Sequence, residues 1–320
     1  MNARLRLLAA IVLLSPMVGL SQPRLPVIGM IALGMGPKTS NPGVAQVLEG
    51  LREQGYIDGQ NLRLEARFAE GRIERIPLLA RELAALKVDI MWVVGQQGVE
   101  AATAASATIP IVSFSCDRPE GIALARPGGR VTGVTCMQQD LNRKRVELLR
   151  ELVPRLSRIA VLYNPLDSTK RGEFGELRAS LNQVPVSLLP FEASDPEQFE
   201  KVFAAIGRSR PGALLVLDDA FTFVSVKAIA SFAARYRLPS IFGFSEYVAV
   251  GGLASYGPDS RRLARRSADY IVKILKGEDP GKLPIELPTQ FDLVLNAKTA
   301  TALGVVIPKA ILLRADRVIE

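Results

Sequence analysis

Two rhythms of apolar and polar positions alternate along this chain. One consists of short apolar runs, the other of longer stretches with helical spacing. Val27–Leu33 is a continuous apolar run, as expected of a strand buried on both faces. Pro42–Gln54 follows with Val44, Val47, Leu48 and Leu51 on one face, a helix closed by Gly55. Leu62–Phe68 alternates apolar and charged residues like an outer strand, and Ile73–Leu86 is again helical. Ile90–Val94 reads as a buried strand and Gln97–Ala105 as a helix of small residues. Ile109–Phe114 and Val131–Thr135 are two more strands, with only a loop rich in Gly and Pro between them. That loop is too short for an ordinary crossover helix. The stretch Ile109–Met137 therefore ends one α/β series and bridges to a second.

The second series starts with Asp140 as the expected N-cap of a helix Leu141–Leu152. Strand Arg158–Tyr163, helix Lys170–Gln183 and strand Val186–Pro190 follow. Asp195 and Pro196 lead into helix Glu197–Gly207, and then come strand Leu214–Leu217, helix Val224–Arg235 and strand Ser240–Phe244. Leu253–Tyr256 is a short sixth run. In Asp259–Gly277, the most regular helix, Arg261, Arg262, Arg265, Arg266, Asp269, Lys273 and Lys276 share one side. That side is either a solvated face or a surface for a partner or an anion. The tail holds a strand Phe291–Leu295, a short helix near Thr299–Leu303 and an end broken by Pro308. Two such series predict an α/β fold of two like lobes, each a parallel sheet flanked by helices. A ligand crevice would lie between them.

Length and composition narrow the function classes. The chain has 320 residues, enough for two domains, and 48% of them are hydrophobic, as in a globular protein. It has no histidine, which removes every Ser/His or Cys/His catalytic pair and the commonest metal ligand. An enzyme would need carboxylate, Lys or cofactor chemistry. The first βα turn, Gly34-Met35-Gly36-Pro37-Lys38-Thr39, lacks the Gly-Lys-Ser/Thr of a phosphate loop, and Pro37 has no N–H to offer a phosphate. No helix-turn-helix, zinc or aromatic-basic signature accompanies the net charge of +8. The expectation is a protein without cofactor, metal or nucleic-acid partner, and not an enzyme.

The N-terminus reads as a targeting signal. Arg4 and Arg6 form a basic region, Leu7–Leu14 is apolar but too short to span a bilayer, and Gly19-Leu20-Ser21 is a small-x-small cleavage site. Residues 1–21 are therefore expected to be a cleaved secretory signal. No Cys follows the apolar stretch, so no lipid anchor is expected. No later stretch is long and apolar enough for a membrane span.

In parallel α/β sheets the strand C-termini face the ligand crevice. Those positions hold Gly34, Gly95, Gln96, Ser115 and Asp117 in the first series, and Asn164, Asp218, Asp219, Ser245 and Glu246 in the second. Neutral hydrogen-bonding groups with carboxylates suit a small polar or zwitterionic ligand. Each residue is equally a candidate N-cap for the helix after it. Phe114, Tyr163, Phe221, Phe244 and Tyr256 lie near strand ends and pack either on a ligand or in the core. Asp218 and Asp219 are adjacent on a strand and point to opposite faces, which argues against a catalytic dyad. Cys116 and Cys136 either pair across neighbouring strand ends in an oxidising compartment or remain two buried thiols.

Several runs resemble one known family. They are GYIDGQNLRLEARFAEGRIERIPLLARELAALKVDI (Gly55–Ile90), TIPIV (Thr108–Val112), RPGGRVTGVT (Arg126–Thr135), KRVELLRELVP (Lys144–Pro154), RIAVLYNP (Arg158–Pro165), EYVAVGGLASYGPD (Glu246–Asp259), PTQFDLVLNAKTATALG (Pro288–Gly304) and LLRADRVIE (Leu312–Glu320). In order and spacing they are similar to the ABC-transporter substrate-binding proteins that include tryptophan-binding lipoproteins. The resemblance implies a type I periplasmic-binding fold, with two Rossmann-like lobes, three hinge crossings and a ligand between the lobes. The crossings are expected near Met137–Asp140, Tyr256–Asp259 and Leu287–Phe291. Residues 22–138 with about 257–287 would form one lobe, and 139–256 with about 288–320 the other.

It also implies capture of a small polar or amino-acid-like solute by hinge closure in the periplasm. Delivery would be to an inner-membrane permease driven by a cytoplasmic ATPase, by a protein expected to be a monomer. Asp117 falls where the family often has Gly-Asp-Pro, here Cys-Asp-Arg-Pro. Asn164, Asp219 and Glu246 fall on positions where it often has the same residue. Gln96 and Gln97 replace the usual small residues, which implies a differently shaped pocket. The lipobox of the lipoprotein members is absent. A ligand-binding accessory of a sensory receptor and an exported α/β enzyme are the alternatives.

Overall fold

Residues 24–34, 42–116 and 123–320 are described by the computed structural model. The expected signal segment, Asp117 and most of the turn Gly34–Thr39 lie outside the described residues. In chain order the first unit contains β1 (Val27–Ala32), α1 (Pro42–Glu53), β2 (Arg63–Phe68), α2 (Ile76–Ala85), β3 (Ile90–Val94), α3 (Gly95–Ala105), β4 (Ile111–Ser115) and β5 (Val131–Thr135). The second contains α4 (Gln138–Leu152), β6 (Arg158–Tyr163), α5 (Lys170–Ser180), β7 (Ser187–Glu192), α6 (Phe199–Ser209), β8 (Ala213–Val216), α7 (Ala220–Val224), α8 (Val226–Arg235), β9 (Ser240–Phe242), α9 (Ser245–Ala249) and β10 (Ala254–Gly257). The chain then forms α10 (Ser260–Leu275), β11 (Asp292–Asn296), α11 (Ala297–Leu303), α12 (Lys309–Leu312) and β12 (Arg317–Ile319).

Two sheets result, ordered β2-β1-β3-β4-β5 and β12-β11-β10-β9-β8-β6-β7. Helices cover their faces, which is why β1 and β8 are buried along their whole length while the edge strand β2 is mostly only partly buried. The expectation of two parallel sheets needs one correction, since β10 and β11 are antiparallel. β10 runs toward the first unit and β11 comes back from it, so neighbours on that edge must oppose one another.

After β10 the chain returns to the first unit. The Asp259 carboxylate accepts from the N–H groups of Arg261 and Arg262 and caps α10. α10 packs on α1, with Leu263, Ala264, Ala268 and Ile271 buried. Gly50 makes room, since a Cβ there would come within 2.8 Å of the Ala268 Cβ. The charged side of α10 is neither wholly solvated nor a free anion surface. Arg265 pairs with Glu53 of α1 (Nε–Oε2 2.9 Å), Asp269 accepts from Gln54 (2.7 Å), and Arg266 pairs with Glu286 (2.8 Å). Glu286 forms a main-chain bridge to β5, donating to the Gly133 carbonyl (2.9 Å) and accepting from the Thr135 N–H (3.0 Å). The chain thus passes between the two units near 136–137, 258–259 and 287–291.

Three local expectations change. Asp140 lies in the first turn of α4 and is not its cap. The helix starts at Gln138 because Met137 turns the chain with φ 48° and the Gln138 N–H is taken by the Cys116 carbonyl (3.3 Å). The helix expected over Val224–Arg235 starts earlier and breaks at Ser225, because Asp219 and Thr222 form a capping box for α7. β9 ends at Phe242, where Asp218 takes the Gly243 N–H (2.8 Å), and α9 follows. Cys116 and Cys136 are disulfide-bonded, with Cα atoms 4.5 Å apart. Closing that loop stabilises the fold by roughly 3 kcal/mol in the chain-entropy picture.

Candidate functional site

Each sheet has a point where successive connections diverge. β2 and β3 lie on opposite sides of β1, and β7 and β8 lie on opposite sides of β6. Strand ends at such points leave a crevice. Gly34, Gly95 and Gln96 sit at the first, and Asn164, Asp218 and Asp219 at the second.

The two points face each other at close range. Gly95 has φ 77°, and a Cβ built on it would lie 3.1 Å from the Ala220 Cβ. Nearby, Glu100 Oε1 accepts from Ser168 Oγ of the second unit (3.1 Å) and from Gln96 Nε2 (3.1 Å). Leu166 of the second unit leans over a cavity of about 470 Å³ that Ile73, Pro77, Gln97 and Ala101 line from the first. Among the described residues the buried Gln97 amide nitrogen has no hydrogen-bond partner. The units are therefore in contact across the crevice.

The second unit's wall is a buried hydrogen-bonded layer. Asn164 is fully buried, donates to Asp219 Oδ2 (2.6 Å) and accepts from the Leu166 N–H (3.0 Å). Asp219 Oδ1 accepts from the Thr222 N–H (2.8 Å), and its own N–H donates to Thr222 Oγ1 (2.8 Å). Glu246, half-buried, accepts from Ser260 Oγ across the second crossing. Tyr256, also half-buried, has its ring centroid 6.2 Å from that of Phe291. Ser115 is buried, and its carbonyl accepts from the Cys136 N–H (3.0 Å). Of the aromatic candidates, Tyr163, Phe221 and Phe244 are core residues, and Phe223 stands edge-on against Phe244 at 5.1 Å.

Behind this wall lies a polar cluster that sequence reasoning missed. Lys170 pairs with Glu173 (2.8 Å), and Glu173 accepts from Asn142 (2.6 Å). Arg145 donates to Asn142 Oδ1 (2.7 Å), to both carbonyl oxygens of Gln138 and to the Tyr256 carbonyl (2.8 Å). All five side chains are buried. A helix that alternates charged and apolar residues gives no signal for which charge turns inward.

Burial pushes the Asp218 carboxyl up to about 6, against the pull of Arg145 and the Gly243 N–H. Burial also raises Asp219, which Asn164 and Thr222 partly offset, and raises the Tyr247 phenol well above its usual range. A carboxyl raised in the fold favours its neutral form there, so its contribution is complete below about pH 4 and lost by about pH 6. Asp218→Asn stays neutral throughout. Its stability relative to the wild type should therefore rise between pH 4 and pH 7, by about 3 kcal/mol. Urea titrations across that range check this, and a constant gap between the two proteins would refute it.

The profile of the ABC transporter substrate binding protein family matches residues 40–319. The chain belongs to that family. Its family is one of substrate-binding proteins. A tyrosine-binding protein of Clostridioides difficile (strain R20291) is 24% identical over 286 residues, 83% of this chain and 81% of the relative. A conserved domain protein of Vibrio cholerae O1 biovar El Tor has a solved structure with TM-score 0.83 and 26% identity, covering 92% of this chain and 100% of that one. The ABC domain in complex with L-Trp from Streptococcus pneumonia gives TM-score 0.82 and 24% identity at the same coverage. The architecture is the type I periplasmic-binding fold. Among the described residues no helix is long and apolar enough to cross a membrane, and no group of His, Cys, Asp and Glu side chains is placed to hold a metal ion.

Proposed function

We propose that this protein is the periplasmic solute-binding component of an ABC importer. It captures a small polar or amino-acid-like solute between its two units and hands it to an inner-membrane permease. One observation carries the reading, the face-to-face approach of the two strand-end crevices at Gly95 and Ala220. A solute held there is desolvated from both sides, which strengthens each polar contact it makes. The tyrosine-binding and L-Trp-bound relatives favour an amino-acid-like cargo. Residues 22–138 with about 257–287 form one closing body in this reading, and 139–256 with about 288–320 the other. Gly34, Gly95, Gln96, Ser115, Asp117, Asn164, Asp219, Glu246 and Tyr256 build the pocket, some by contact and Asn164 by holding Asp219 in place. The signal segment would be removed on export, leaving a monomer.

A thermal-shift screen of refolded protein against amino acids, purines and small organic acids tests this. A solute at 100 times its dissociation constant stabilises by about 2.7 kcal/mol. One chemical class should shift the transition without being turned over, and cells lacking the protein should lose uptake of that solute. A panel without shifts, or intact uptake, would remove the importer reading.

A further inference from the structure

Arg145 is a fully buried arginine. Among the described residues no carboxylate is in ion-pair contact with it, although Asp218 and Glu173 lie near enough to act on its charge. Its direct partners are neutral oxygens. A buried guanidinium without a contacting counter-ion is costly, and apolar residues in such places are often as stable or more so. Stability alone is therefore a poor reason for it to be there.

Its partners give a better one. Nε donates to the carbonyl of Tyr256, in the strand that leads into the second crossing. Nη1 donates to the carbonyl of Gln138, the first residue after the first crossing (3.3 Å), and Nη2 to the Gln138 side-chain oxygen. Asn142, one turn along α4, accepts from Nη1 and sets the height of the guanidinium plane. A planar fork of N–H donors can hold several acceptors in one fixed geometry, which an ammonium cannot.

The backbone around it is cleared for this arrangement. A Cβ on Gly257 would run into the Gly243 carbonyl and lie 3.3 Å from Arg145 Nη2. A Cβ on Gly243 would run into the Gln138 side chain and lie 2.5 Å from Asp218 Oδ2. The third crossing is fastened differently, by the main-chain bridge of Glu286 to β5 on the first unit. Two crossings are thus rooted together in the second unit through one side chain, and the third is rooted in the first unit.

We infer that Arg145 is a positioning residue for closure, one that ties the first and second crossings into a single pivot. With the guanidinium in place the units turn about one line. Without it each crossing flexes by itself, and the units also twist and slide. The inference rests on the closure reading above only in requiring two units that move.

The test measures motion with no solute present. Spin labels are attached by non-cysteine chemistry at the exposed Leu78 and Val250, one on each unit, because both cysteines are bonded. Electron–electron distances are then recorded for the wild type, R145M and R145K. The wild type should give resolved distances. R145M should lose them to one broad distribution, while far-ultraviolet dichroism shows an unchanged fold. A wild-type profile in folded R145M overturns the inference. Should R145M fail to fold, R145K decides. Its ammonium serves one crossing at a time, so a broadened profile supports the pivot and a wild-type profile overturns it. An empty solute screen would sink the importer reading and leave this result standing.

Discussion

Ala220→Leu should abolish tight solute binding while leaving the protein folded. Ala220 is the first residue of α7, and its methyl group is the second unit's closest approach to Gly95. Gly95 stands at the turn from β3 into α3 with φ 77°. An isobutyl group at 220 would press toward the Gly95 turn, where a built Cβ already comes within 3.1 Å of the Ala220 Cβ. If the closed arrangement is held below about one part in a hundred, apparent affinity falls about 100-fold. The capping box of Asp219 and Thr222 does not involve the Ala220 side chain, so α7 survives. Calorimetric titration with the solute found by screening, beside a melting curve without it, checks both halves. Ala220→Ser is the control and should bind normally. Wild-type affinity in Ala220→Leu would mean that binding does not require this contact.

Lys170→Met should be the most destabilising single change among the buried polar residues. The side chains of Lys170 and Glu173 are 0% and 3% exposed and meet at 2.8 Å. Removing the ammonium leaves the Glu173 carboxylate in the interior beside a neutral donor, Asn142, at 2.6 Å, with the Arg145 guanidinium near but not in contact. Breaking a buried pair in this way costs about 3–5 kcal/mol. Adding Glu173→Gln removes the stranded charge while keeping an acceptor for Asn142, so the double variant should recover most of the loss. Denaturant midpoints for the two variants measure this. A loss under about 1 kcal/mol in Lys170→Met would show that the pair is solvated like a surface pair.

The layout of the fold was legible because its signals are local. β1, β3, β6 and β8 are apolar runs bounded by polar or glycine residues, and the strand-end rule then placed Gly95, Asn164 and Asp219 at the crevice. α9 was not legible, because five residues are too few to show a helical period and the run reads equally well as a strand extension. The start of α4 was misplaced because Asp140 is a good capping residue, whereas a left-handed Met137 is dictated by the crossing and has no sequence signature. Arg145, Lys170 and Glu173 were missed for a deeper reason. Lys170 and Glu173 at i and i+3 look like an ordinary surface pair, and Arg145 sits beside Val146, Leu148 and Leu149 where a charge is expected to face water. Only the third dimension shows that α4 and α5 press these charges against the strand ends of the second sheet.

The return of α10 to α1 has a consequence for how the protein is made. Gln54 and Asp269 are hydrogen-bonded across 215 positions of sequence. A chain that emerges from the ribosome N-terminus first presents Val44, Val47 and Leu51 long before Leu263, Ala264 and Ala268 exist to cover them. The unit that begins first is completed late, after most of its partner has been synthesised. An N-terminal fragment ending at the first crossing lacks one wall of its own core. The nascent protein therefore carries an uncovered apolar stripe through most of its synthesis, the kind of transiently exposed surface that makes folding intermediates prone to aggregate.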